Sequence, residues 1–176
     1  SVGTGGRAAF LDTLQASQSE GTKIPVTPTI TYVGGGGFPL NDLRFRTVGF
    51  DDPQGAATFG SVQWRMAEIT DAAAPAYLPG ERLKLEITPS YLSAEFTTFA
   101  TDFRFPAAAC QPGHTYRARV RVKDDTGRAS HWSAPVQFTA TAANLAVYQQ
   151  SLVLSEIMYH PVAATIAEEA LGWSDS

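Results

Sequence analysis

The chain of 176 residues is 44% apolar and 17% charged with a formal charge of −4, which excludes wholesale disorder and suits one domain with flanking segments. No apolar run approaches the ~20 residues of a spanning helix, so membrane insertion by a helix is excluded; no basic stretch followed by an apolar one marks a leader, so a secretion signal is expected outside this segment. All 13 Lys and Arg lie at or before Arg128, and beyond it the only charges are Glu156, Glu168, Glu169 and Asp175; a balanced body with an acidic tail gives no electrostatic reason to expect nucleic acid as a partner.

Residues 7–19, RAAFLDTLQASQS, place Phe10, Leu11 and Leu14 at helical spacing, which predicts a short helix or an ordered tail over residues 1–25. From Ile24 onward the pattern changes to short β-rich runs separated by turn signals, the pattern of a sandwich or barrel. The predicted strands are 27–33, 43–50, 61–69, 83–88, 95–106 with a possible break near Thr101, 114–123 and 134–141. In the third, Val62, Trp64 and Met66 point one way and Gln63, Arg65 and Ala67 the other, with Trp64 the expected centre of the core. The sixth has a clean period of two: Tyr116, Ala118, Val120 and Val122 face the core, and Arg117, Arg119, Arg121 and Lys123 face solvent. Four like charges on one face need compensation, for which the neighbouring strand and Trp132 are the simplest source, since a guanidinium stacks on an indole. The alternative is an anion- or polysaccharide-binding stripe. The connector 124–130, DDTGRAS, holds Gly127 where a tight loop wants positive φ.

Solitary Cys110 can form no internal disulfide and reads as a small buried apolar residue. His114, His131 and His160 stand 17 and 29 residues apart, without the spacing of a metal site. Hard oxygen ligands for calcium could come from Asp51 with Asp52 and Asp124 with Asp125, in loops that would share one end of a sandwich; the alternative is that these acids cap turns. The glycines at 34–37 have no following Lys-Ser or Lys-Thr and form no phosphate loop. No Gly-x-Ser-x-Gly is present. No catalytic residue and no cofactor are therefore expected. Phe59, Tyr77 and Tyr91 lie in loops as possible sugar-stacking aromatics, or close the ends of the core.

At QPGHTYRARVRVKDDTGRASHWSAPVQFT the chain resembles the fibronectin type III family over residues 26–142. The resemblance implies an all-β, immunoglobulin-like sandwich of two sheets and about seven antiparallel strands. Gln111, Pro112 and Gly113 before Tyr116 look like the family's corner, which implies that the Tyr116 hydroxyl fixes a loop crossing. Ser130, His131, Trp132 and Ser133 are similar to half of the Trp-Ser-x-Trp-Ser box of cytokine-receptor domains, which implies a short ladder of Arg119 and Arg121 with Trp132; Ala129 stands where the first Trp would be. The run 152–161, LVLSEIMYHP, resembles the opening strand of a bacterial lamin-tail domain, so residues 143–176 are expected to be a linker and an incomplete start of such a domain. Its strand is expected to add to a sandwich edge, insert into another copy or be mobile. The two resemblances together imply a secreted or cell-surface multidomain bacterial protein, in which the segment sits between a CotH-kinase-like and a lamin-tail domain. The function so implied is a non-catalytic spacer or docking module for neighbouring domains or another protein. The alternatives are a carbohydrate- or matrix-binding accessory domain, with or without calcium, and a non-catalytic piece of a kinase-like parent enzyme.

Overall fold

The structure, a computed structural model, describes residues 23–149 and 165–172. The chain divides into two compact units, Ser1–Asn144 and Leu145–Ser176. The expected helix at 7–19 and the strand at 152–159 lie outside the described residues. In the second unit two single-turn helices are described, Ala146–Gln149 and Ile166–Glu169.

The first unit is a small all-β sandwich, with seven strands among the described residues: β1 (Ile30–Tyr32), β2 (Arg44–Thr47), β3 (Phe59–Ile69), β4 (Leu85–Leu92), β5 (Asp102–Arg104), β6 (Thr115–Asp124) and β7 (Val136–Thr139). Two antiparallel sheets form, one in the order β1-β2-β5 and the other β4-β3-β6-β7. Alternation fixes which face each strand buries, because a slip of one residue would turn every core side chain to solvent. Val62, Trp64 and Met66 of β3 lie opposite Val122, Val120 and Ala118 of β6, and all six are buried. Phe45, Phe105 and Leu43 close the core from the other side. Trp64 stacks on Phe103 at 5.2 Å and meets Phe105 edge-on at 6.5 Å.

One expected strand is divided. Residues 95–106 do not run as a single element: Phe96 bridges Val62 of the four-stranded sheet by reciprocal hydrogen bonds of 2.9 and 3.0 Å, while β5 pairs with β2 in the other sheet. The chain changes sheets between them. Gly60 opens the long β3 where the connector at 124–128 crosses it, and an added Cβ would lie 2.1 Å from the Asp124 carbonyl oxygen. Only glycine tolerates that approach.

Candidate functional site

The outer face of the four-stranded sheet gathers most of the charged side chains singled out in the sequence. Register places Arg65 directly opposite Arg119, Ala67 opposite Arg117 and Gln63 opposite Arg121. Like charges across a ladder repel, and the relief comes from Glu86 on β4. Its Oε1 accepts from Arg65 Nη1 at 3.3 Å and from Arg119 Nε, and its Oε2 accepts from Arg117 Nη1 at 3.3 Å and Arg119 Nη2 at 3.1 Å. One carboxylate thus joins three guanidinium groups, and its side chain is only 12% exposed. Glu86 reaches this position through a left-handed backbone, φ 61°, a conformation that costs a non-glycine residue roughly 1 kcal/mol or more. It lies within one of the two β3–β4 register shifts, between the pairs Ala67–Pro89 and Ile69–Leu85, where the strand departs from a regular ladder. Burial raises the Glu86 pKa, and the bonds to Arg119 and Arg117 outweigh it, leaving the carboxyl below its ordinary value.

The arginines of the row also meet other protein acceptors. Arg65 donates to the carbonyls of Glu86 and Ile87, Arg117 to Gln137 Oε1 at 3.1 Å, and Arg119 to the Ser133 carbonyl at 2.8 Å. Arg121 donates twice to Gln63 Oε1, at 3.1 and 2.8 Å, and its guanidinium carbon lies 4.6 Å over the Trp132 ring. Lys123 pairs with Glu95. The expected ladder is therefore one rung, Arg121 on Trp132, because the Arg119 guanidinium is turned onto Glu86. With every arginine of the row bound to protein acceptors, the face is a cross-linked lid over Gln63 and Ala67, both buried despite pointing away from the core. Replacing Trp132 by alanine is expected to lower stability by about 1 kcal/mol, the worth of one partly exposed cation–π contact; a urea midpoint equal to that of the wild type would count against the contact.

Tyr116 stands at the start of β6, buried, with its hydroxyl accepting from the Gln111 amide at 2.8 Å. Burial pushes its pKa up to about 12, so the phenol keeps its proton. Cys110 lies beside it, buried, with Sγ 3.4 Å from Met66 Sδ. Burial likewise pushes the thiol up to about 12 from 9.0, which lowers the reactive thiolate about a thousandfold. Native protein at pH 8 is expected to leave Cys110 unmodified by a thiol-specific reagent over the time in which urea-unfolded protein reacts fully.

The four acids proposed for calcium do not share a site. Asp52 Oδ1 accepts from the Gln54 amide at 2.7 Å. Asp124 Oδ1 accepts from the Thr126 amide and hydroxyl at 3.0 and 2.8 Å and from the Arg128 amide at 2.7 Å, with Arg128 Nη1 3.5 Å from Oδ2. Both are turn caps. Asp51 and Asp125 are exposed. Among the described residues no three His, Cys, Asp or Glu side chains come together to hold a metal ion.

The three aromatics expected in loops are separated as well, and two of them stand in strands, Phe59 at the start of β3 and Tyr91 in β4. Phe59 packs edge-on between Phe50 and Phe99, each at 5.3 Å, and Tyr91 packs on Phe103 and Phe105 at 6.1 and 5.7 Å. Tyr77 is exposed in the turn beyond the other end of β3, where the Ala76 amide bonds the Gly113 carbonyl. An extended strand of that length separates Phe59 from Tyr77 by about 30 Å. They form no platform.

The strand expected over 83–88 is the edge strand β4 with the segment approaching it. Leu83, Leu85 and Ile87 alternate along it and are 63%, 66% and 79% exposed. With Arg82, Lys84 and Pro89 they line a groove of about 510 Å³. The period of two in LKLEI marks this row in the sequence but not which way the row faces. No known protein family, curated protein or solved structure matches the chain.

Proposed function

We propose that this domain is a non-catalytic spacer and docking module that receives an extended segment of a neighbouring domain or partner protein along β4. The observation that carries the reading is the row Leu83, Leu85 and Ile87, three large apolar side chains in open solvent on and just before a strand that, among the described residues, has a neighbour on one side only. An uncovered apolar edge is an aggregation hazard that natural proteins avoid unless a partner uses it. The backbone is suited to the same partner. Lys84 donates its amide to Thr70 Oγ1 at 2.7 Å and accepts from the Thr70 amide at 2.9 Å, so alternation directs the peptide groups of Leu83 and Leu85 to the open side. Beyond them the left-handed Glu86 and Pro89, which has no N–H, interrupt the ladder. The edge is therefore guarded over most of its length and open at one end, which favours a short segment held by backbone pairing and alternate side chains.

The bound state of the arginine face supports a mechanical role, since it stiffens the sheet that carries the edge. The resemblances around Trp132 and at 152–161 support placing the module in a larger secreted bacterial protein. Selection from a displayed library of unstructured peptides tests the docking reading. Peptides with alternating apolar residues are expected to be enriched, and Leu85→Lys with Ile87→Lys should weaken them at least tenfold without lowering the melting temperature. Equal binding to the doubly substituted protein would refute it.

A further inference from the structure

The crossing between the sheets leaves a second concavity, on the side where the chain passes from Phe96 to β5. It is a cleft of about 460 Å³ floored by Trp64 and lined by Glu95, Phe96, Thr97, Thr98, Asp102 and Phe103, within the span of roughly 300–1,000 Å³ usual for small-molecule sites. Its apolar part is aromatic. Phe103 lies half-buried on Trp64 with 12° between their planes, and Phe96, 39% exposed, stands 5.9 Å from Phe103 at 42°. Its polar part comes from both sheets. Glu95 belongs to the four-stranded side, where it meets Lys123 and, at 3.3 Å, Ser61 Oγ. Asp102 belongs to the three-stranded side, where Arg46 grips it through two bonds of 2.6 and 2.7 Å.

We propose that this cleft binds a neutral saccharide. Each carboxylate is paired with a cation, so the rim attracts neither an anion nor a cation by net charge, yet an ionised carboxylate has acceptor sites to spare. Those sites call for neutral donors, which sugar hydroxyls supply, and the Thr97 and Thr98 hydroxyls can both give and accept. The aromatic faces carry partial negative charge and suit the weakly positive C–H face of a pyranose ring. A purely apolar ligand would cover the open carboxylate lone pairs with nothing to bond them, and the anionic groups of a sulfated or uronic sugar would bring acceptors where the open positions are acceptors too.

The site is independent of the β4 edge, and its test uses different variants. Wild-type protein is applied to an array of neutral oligosaccharides of glucose, xylose, galactose and N-acetylglucosamine, beside sulfated and uronic ones. The strongest neutral binder is then titrated calorimetrically. Binding of at least one neutral class is expected. Phe96→Ala should weaken it about tenfold or more, and Thr98→Arg, which fills the cleft from an exposed position, should abolish it at unchanged melting temperature. Silence across the neutral sugars, binding confined to the charged ones, or full affinity in Thr98→Arg would each overturn the proposal. Full affinity in Leu85→Lys is expected, because that substitution lies on the other concavity.

Discussion

Replacing Glu86 by alanine is expected to cost about 3 kcal/mol, the usual loss when one partner of a largely buried ion cluster is removed and the others are left uncompensated. The reason lies in the register: Arg65 and Arg119 are cross-strand neighbours, and Glu86 is the carboxylate bonded to both, as well as to Arg117. Against a total of about 5–15 kcal/mol for a domain, such a loss lowers the melting temperature by roughly 10 °C. Glycine at the same position accepts the left-handed backbone without strain, yet Glu86→Gly should lose nearly as much, because charge and not backbone shape is what the arginines lack. The pH dependence has a defined sign. Glu86 has a folded-state pKa below its ordinary value of 4.5, so its contribution is present above that value and is lost as pH falls through the depressed one. Glu86→Gln should therefore be less stable than the wild type at neutral pH, and the two should converge under acid. Urea midpoints of both proteins across pH 7 to about pH 2.5 read this directly; parallel curves would assign the acid lability to other carboxylates.

Trp64→Ala is the other large loss, about 3–5 kcal/mol, since a truncated core indole gives up its transfer energy and leaves a cavity. Trp64 is fully buried at the middle of β3 and contacts Phe103 and Phe105. Its amide is held by Ser93 Oγ at 2.9 Å, so the crossing segment is anchored to the same residue. The variant is expected to lose near-ultraviolet ellipticity and to expose Cys110 to thiol reagents. Trp64→Phe, which refills part of the volume, should recover a large share of the loss. A melting temperature within a few degrees of the wild type in Trp64→Ala would place the centre of the core elsewhere.

How much was legible in the sequence follows from the range of each signal. β6 could be read because Tyr116, Ala118, Val120 and Val122 alternate with three arginines and a lysine, and a period of two is a local property. Trp64 was legible for the same reason. The arginine row also announced that compensation was needed, and Glu86 could have been sought as the acid set between Leu85 and Ile87 in LKLEI. Its left-handed φ could not, because a glutamate in a β-rich run carries no local sign of that conformation. The break near Thr101 could be expected, and β5 begins at Asp102, but the change of sheet there was hidden because Phe96, Phe103 and Phe105 suit either sheet, and only pairing decides which one each joins. The acids at 51–52 and 124–125 were ambiguous between ligand and cap, a choice that rests on where Oδ1 of Asp52 and Asp124 points. The exposed row Leu83, Leu85 and Ile87 on and before β4 departs from the rule that alternation buries one face, and such a departure is where function is to be sought.

The docking of an extended segment on β4 is tested most directly by amide signals of the ¹⁵N-labelled domain titrated with a peptide selected against it. The account predicts that the largest shifts and new exchange protection fall on the amides of Leu83 and Leu85, with cross-peaks from the peptide to the side chains of Leu83, Leu85 and Ile87. Shifts centred on β7, on the loops around Tyr77, or on the arginine face, with Leu83 and Leu85 unmoved, would contradict it.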